Sequence, residues 1–202
     1  MNSHPGMSQK GFENLHGGKA PWDIGRPQKE FVDLFNVTLP KSPVIDIGCG
    51  SGELSLFAAS KGCSVLGIDF SQTAIELAKR RALDEGSPAS FEVRDTFSLP
   101  QLKRKFATVL DCCFFHVLDD PSQTRYEQVM REIIEPEGMI YMLCFSRQFP
   151  HPGAPRAVNR PDIEKTFGPG WTIVSIEPSV VEVTLAPQGL PGTFACLQKN
   201  VE

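Results

Sequence analysis

Between an apolar tetrapeptide, Val44 to Ile47, and an apolar-faced run beginning at Glu53 lies Gly48-Cys49-Gly50-Ser51-Gly52. A glycine-rich turn between a strand and a helix lets backbone approach a ligand at the carboxyl edge of a sheet, so Gly48, Cys49 and Gly50 are cofactor-binding candidates. Asp46, two positions before the first glycine, either meets a ligand amino group through water or fixes the loop. A nicotinamide dinucleotide loop needs a third glycine at position 53, where this chain has Glu53, whose charge faces a pyrophosphate. A hydride-transferring dinucleotide enzyme is disfavoured. Asp69, closing the next apolar run Val65 to Ile68, stands seventeen positions beyond Gly52, where a carboxylate can accept from vicinal ribose hydroxyls. Phe70 beside it is placed to pack on a base.

Further along, Asp95 and Thr96 follow a third apolar run, and Asp95 is open between a ligand contact and a turn cap. Leu110-Asp111-Cys112-Cys113-Phe114-Phe115-His116 ends a fourth. Strand ends on that edge face the ligand crevice, which makes Asp111 and His116 the catalytic candidates and Cys112 a cofactor neighbour. His116 titrates near neutrality and could deprotonate an acceptor, cap a helix or line a wall. Adjacent strand residues point to opposite faces, so Cys112 and Cys113 are expected as core thiols, and no metal-ligand cluster stands out.

These residues need a scaffold, and the apolar spacing describes one. Strands are expected near 44–47, 65–69, 91–94, 109–115 and 138–145. Helices are expected from Gln28, over Glu53 to Lys61, from Ser71 to about Glu85, and after Pro121 with Tyr126, Val129, Met130, Ile133 and Ile134 on one face. A short helix near 162–167 precedes strand-like runs at 171–185 and 193–199, which imply a terminal antiparallel hairpin. Alternating strands and helices predict an α/β protein: a doubly wound, largely parallel sheet covered by helices on both faces. Residues 1–19 are expected to form a flexible tail, with residues 20–202 as one domain.

Composition bounds the partners. The 202 residues carry 20 Lys and Arg against 24 Asp and Glu, a formal charge of −4, which gives no footprint for nucleic acid or an anionic membrane. A small-molecule partner is expected. Apolar residues at 41% rule out disorder throughout. The six cysteines lack disulfide-scaffold spacing, and no apolar run reaches the roughly 18 to 20 residues of a membrane span, so a cytoplasmic protein with reduced thiols is expected. Nothing in the sequence sets an oligomeric state.

The loop Gly48 to Gly52, with Asp46 before it and Asp69 after it, resembles the class I methyltransferases that use S-adenosyl-L-methionine. The resemblance runs from about Ala20 to Lys199. It implies a Rossmann-like sheet of seven strands with an antiparallel last strand, and it places Asp95 on the adenine amine. Pro21-Trp22-Asp23-Ile24-Gly25-Arg26 is similar to a segment of the thiopurine, thiol and halide methyltransferases and the tellurite-resistance methyltransferases, where it folds over the cofactor. Trp22 and Arg26 thereby join the cofactor-binding candidates. Trp22 is open between the sulfonium or adenine and an anchor on the core, and Arg26 between pairing a carboxylate and orienting Asp23. Asp111, Phe114 and Phe115 match the thiol and halide branch, whereas Phe106-Ala107 departs from its usual aromatic-Asp pair. The implied activity is methyl transfer to a small acceptor such as a thiol, selenol or halide, with a cofactor-binding module lacking transfer as the alternative. Substrate contacts are expected from the lid, from Phe114 to His116, and from the Ser146 to Arg160 loop, where Arg147, Arg156 and Arg160 would suit an anion.

Overall fold

The computed structural model describes residues 20–149 and 154–201; the expected tail, 1–19, lies outside them. In chain order the elements are α1 (Lys29–Val37), β1 (Val44–Ile47), α2 (Glu53–Ser60), β2 (Val65–Asp69), α3 (Gln72–Glu85), β3 (Ser90–Val93) and a 3-10 turn (Thr96–Leu102). Then follow β4 (Phe106–Cys112), a second 3-10 turn (Phe115–Val117), α4 (Asp120–Ile133), β5 (Ile134–Phe145), α5 (Arg160–Thr166), β6 (Trp171–Val183) and β7 (Ala186–Lys199).

The strands form one sheet in the order β3-β2-β1-β4-β5-β7-β6. The first five run parallel, and β7 is antiparallel to both β5 and β6. Alternation along the buried strands sorts side chains to two faces. Ile45, Ile47, Leu66 and Ile68 pack with Tyr126, Met130 and Ile133 of α4. Val44, Val65, Leu110 and Leu143 meet Phe31 and Phe35 of α1 and Leu54 and Ala58 of α2 on the other. Helix ends are closed by local polar contacts: Ser71 Oγ accepts from the Ala74 N–H, and Asp119 Oδ1 from the Ser122 N–H.

Three boundaries differ from expectation. Strand β4 stops at Cys112 because Cys113 turns to φ 68°, so Phe115 and His116 belong to a turn and not to the strand. Strand β5 begins at Ile134, so that residue pairs with Phe106 and does not extend the helix stripe. The last hairpin is longer than its apolar runs suggest: Val183 pairs with Ala186 across a two-residue turn at Thr184 and Leu185.

Candidate functional site

The strand order reverses between β1 and β4, and a crevice opens beyond the carboxyl ends of strands at such a point. A cavity of about 530 Å³ lies there, a size suited to a small ligand. Of the cofactor-binding candidates, Trp22, Arg26, Asp46, Gly48, Cys49, Gly50, Asp69, Phe70, Asp95, Thr96 and Cys112 all line it, as does His116.

The glycine loop forms the floor. Gly48 sits at φ 66°, and a Cβ there would come within 3.0 Å of the Phe114 ring, so this crossing needs glycine on both counts. Asp69 braces the loop: its Oδ2 accepts from the Gly50 N–H at 3.1 Å and its Oδ1 from the Ser71 N–H at 2.8 Å. Asp69 also lines the cavity. Asp95 Oδ1 accepts from the Phe97 N–H at 2.9 Å. It therefore caps the first 3-10 turn, and it also lines the cavity.

Asp46 is buried, and its Oδ2 accepts a 2.6 Å hydrogen bond from Ser55 Oγ. Its Oδ1 is buried with no hydrogen-bond partner among the described residues. Burial pushes this carboxyl up to about 7, against the opposing Ser55 hydroxyl. An orphaned acceptor in a cavity wall suits a ligand ammonium. Together with Asp69 beside the glycine loop, it fits the methionyl and ribose ends of S-adenosylmethionine.

The segment 20–28 closes over the loop through two sets of contacts. Asp23 Oδ2 accepts from Ser51 Oγ at 3.0 Å, tying the segment to the floor. Arg26 does not orient Asp23; it makes a bidentate pair with Glu182 of β6 at 2.7 and 2.8 Å. Gln28 exchanges two hydrogen bonds with the Glu182 backbone, and the Thr184 N–H donates to the Pro21 carbonyl. Glu182 went unnoticed in the sequence because nothing local marks a residue 154 positions from its partner.

The catalytic candidates fare differently. Asp111 is fully buried and does not line the cavity. Its Oδ1 accepts from the Phe114 and Phe115 N–H groups at 3.0 and 3.1 Å, which shapes the turn after β4. Burial lifts its carboxyl to about 6, opposed by the Tyr126 hydroxyl and those two N–H groups. His116 reaches the cavity, but its Nδ1 accepts from the Phe145 N–H at 3.1 Å and its ring stacks on Phe145 at 4.9 Å. Burial lowers its pKa to about 3. With Nδ1 occupied, the neutral ring carries its proton on Nε2, where it donates and does not abstract.

Other expectations also need correction. Phe115 packs on Tyr126 and Phe167 in the core, away from the cavity. Arg156 pairs with Asp120, and Arg160 bonds Glu164 and the Ile176 carbonyl, so neither lines the cavity as an anion site. Cys112 and Cys113 do not diverge: the left-handed backbone at Cys113 brings both to the cavity wall. Residues that sequence reasoning missed, Phe145, Val183, Leu185 and Leu190, line it with Phe149 of the expected Ser146 to Arg160 loop and supply an apolar side. No group of three or more metal-ligating side chains occurs among the described residues.

Comparison with known proteins places this geometry in a family. A methyltransferase domain family matches residues 44–138. The 2-heptyl-1-hydroxyquinolin-4(1H)-one methyltransferase of Mycobacteroides abscessus is 29% identical over 179 residues, covering 83% of this chain and 79% of its own. An uncharacterized methyltransferase of Schizosaccharomyces pombe is 31% identical over 103 residues, 51% of this chain and 71% of that one. Probable thiol methyltransferase 2 of Arabidopsis thaliana is 29% identical, covering 84% and 76%. Among solved structures, a protein studied for conversion of a disulfide bond into a thioacetal group during echinomycin biosynthesis superposes with a TM-score of 0.84 at 26% identity, covering 96% and 93%. An S-adenosylmethionine-dependent methyltransferase of Anabaena variabilis gives 0.79 at 19% identity, covering 99% and 96%, which speaks for the fold. The sheet order, the braced glycine loop and these relatives agree: the chain belongs to the class I S-adenosylmethionine-dependent methyltransferases.

Proposed function

We propose that the enzyme methylates a small apolar acceptor through a soft nucleophile that ionises on its own, with a thiol as the favoured class and selenols and halides close to it. The observation that carries this reading is the wall facing the glycine loop: Cys113, Phe114, Val117, Phe145, Phe149 and Leu190, with His116 as a neutral donor among them. An apolar wall of this kind desolvates an acceptor and offers it no proton-abstracting imidazole. The relatives fit the same chemistry, since one is named for thiol methylation and another was studied for conversion of a disulfide into a thioacetal. A cytoplasmic setting suits six unbridged cysteines.

S-adenosylmethionine supplies a methyl group on a cationic sulfur, open to in-line displacement. The protein's part is placement. Asp69 holds the ribose hydroxyls, Asp95 the adenine amine, Phe70 the adenine face, and Asp46 the ammonium. Trp22 and Arg26 lie on the lid, where Glu182 fixes the arginine and Trp22 lines the cavity. The acceptor lies against the apolar wall, and the Nε2–H of His116 hydrogen-bonds its anionic atom. Alignment of this sort contributes about 7 to 11 kcal/mol toward a displacement barrier, which leaves little for a general base to add.

The test has two arms. S-adenosylhomocysteine at 100 times its Kd stabilises the protein by about 2.7 kcal/mol, a rise of roughly 5 to 10 °C in Tm for a chain of this size. Methyl transfer is then measured across thiols, selenols, iodide, a hydroxyquinolone, phenols and amines. Transfer to the soft acceptors is expected; ligand-induced stabilisation without transfer to any of them would leave a cofactor-binding module.

A further inference from the structure

The two thiols in the cavity wall carry out no chemical step in the methyl-transfer scheme. Cys112 is the last residue of β4, and Cys113 turns away at φ 68°, a backbone region that residues with a Cβ seldom occupy. The turn is held from two sides: the Cys113 N–H donates to the Leu143 carbonyl at 2.9 Å, and Asp111 Oδ1 accepts from the next two N–H groups. Strand alternation therefore stops between the two cysteines, and both line the same cavity. Neither is in a disulfide. They are also electrostatic neighbours, since the Cys113 thiol is the largest cause raising Cys112 well above the ordinary thiol range, with burial second.

Two adjacent thiols on one concave wall can do together what one cannot. A tetrahedral metal ion needs more ligands than two, and no third metal-ligating group joins them among the described residues. A trivalent metalloid carrying one organic group needs only two sulfurs to complete its pyramid. We propose that Cys112 and Cys113 form a dithiol clamp that captures a trivalent organoarsenical within the cavity. In the capture, R–As(OH)2 and two S–H groups give R–As(S–Cys)2 and two waters. Two As–O and two S–H bonds break, two As–S and two O–H bonds form, arsenic stays trivalent, and no net proton is released. The exchange does not require both thiols to ionise beforehand. The organic group would lie against Phe114 and Phe149, where the acceptor is placed, so capture excludes the acceptor. The inference needs the cavity alone and is independent of which acceptor is methylated.

Phenylarsine oxide is the probe, applied to the full chain after reduction. Intact-mass analysis is expected to show one phenylarsenic group per chain, with two thiols withdrawn from alkylation by N-ethylmaleimide. A dithiol such as 2,3-dimercaptopropanol should release it, and a monothiol at equal thiol concentration should not. Cys112→Ser and Cys113→Gly are each expected to lose the monothiol-resistant adduct completely. The second variant suits the φ 68° backbone, so its Tm in the absence of ligand checks that the fold is kept. Absence of an adduct in the parent chain, release by monothiol, or survival of the adduct in Cys113→Gly overturns the proposal.

Discussion

Asp46 shows how one buried carboxyl can couple ligand binding to pH. Its pKa of about 7 lies above the 3.8 of an unhindered carboxyl, mainly through burial, so the folded protein keeps a proton that the unfolded chain has already released. Its contribution to stability is therefore present below pH 3.8 and is lost as pH rises through 7. Asp111, at about 6, acts in the same sense, and His116, lowered to about 3, acts oppositely, losing stability as pH falls from 6.5. A ligand ammonium at the orphaned Oδ1 favours the ionised form. Affinity for S-adenosylhomocysteine should accordingly rise with pH through 7, with proton release at pH 6 and almost none at pH 8.5. Calorimetry in buffers of different ionisation enthalpy measures this, and Asp46→Asn should abolish the linkage and weaken binding by about tenfold or more, the worth of a charged hydrogen bond. His116 carries the companion prediction. The pH–rate curves for thiols of different acidity should move with the acceptor. A limb fixed near pH 6.5 for every acceptor, and lost in His116→Gln, would restore the imidazole as a general base.

The lid and the last hairpin are separate elements that act as one. Arg26, Gln28 and the Lys29 N–H all converge on Glu182, and Thr184 bonds Pro21. The Arg26 side chain is 56% exposed, so the pair has the modest strength of a surface ion pair despite its bidentate geometry. A double-mutant cycle of Arg26→Ala and Glu182→Ala should give a coupling of about 0.5 to 1 kcal/mol in stability, with a larger effect of each variant on cofactor KM than on Tm. The elements also show where sequence reading stops. Gly48 to Gly52 and Asp69 are legible because strand, turn and helix signals coincide within a few residues. The hairpin's share of the cavity is not, since Leu185 sits in the β6–β7 turn and Leu190 is set by its pairing with Val181 of β6, far from the glycine loop in sequence. The end of β4 is not either: a left-handed cysteine carries no compositional mark, and strand alternation continued through Cys113 would turn Asp111 to the crevice and set the two thiols apart.

At the scale of the whole molecule, the cavity is built by the two ends of the described chain meeting over the middle. Residues 20–28 and the β6–β7 turn form its cover, and the carboxyl ends of β1, β2 and β4 form its floor. The parallel half of the sheet was readable from apolar periodicity, and so was the terminal hairpin, whose insertion of β7 between β5 and β6 sets the antiparallel strand in place. Among the described residues no helix is long and apolar enough to cross a membrane. Asp46, Asp69 and Asp95 line the cavity along with Phe114, Phe145 and Phe149, and the proposed function assigns the carboxylates to the donor and the aromatic rings to the acceptor. That division is the central claim, and one measurement bears on it directly. Incubated with S-adenosylmethionine and an apolar aromatic thiol, the enzyme should form the methyl thioether and S-adenosylhomocysteine in equal amounts, with phenols and amines of similar shape at least about tenfold slower. Binding of the cofactor with no thioether, or faster transfer to the phenols and amines than to the thiol, would contradict it.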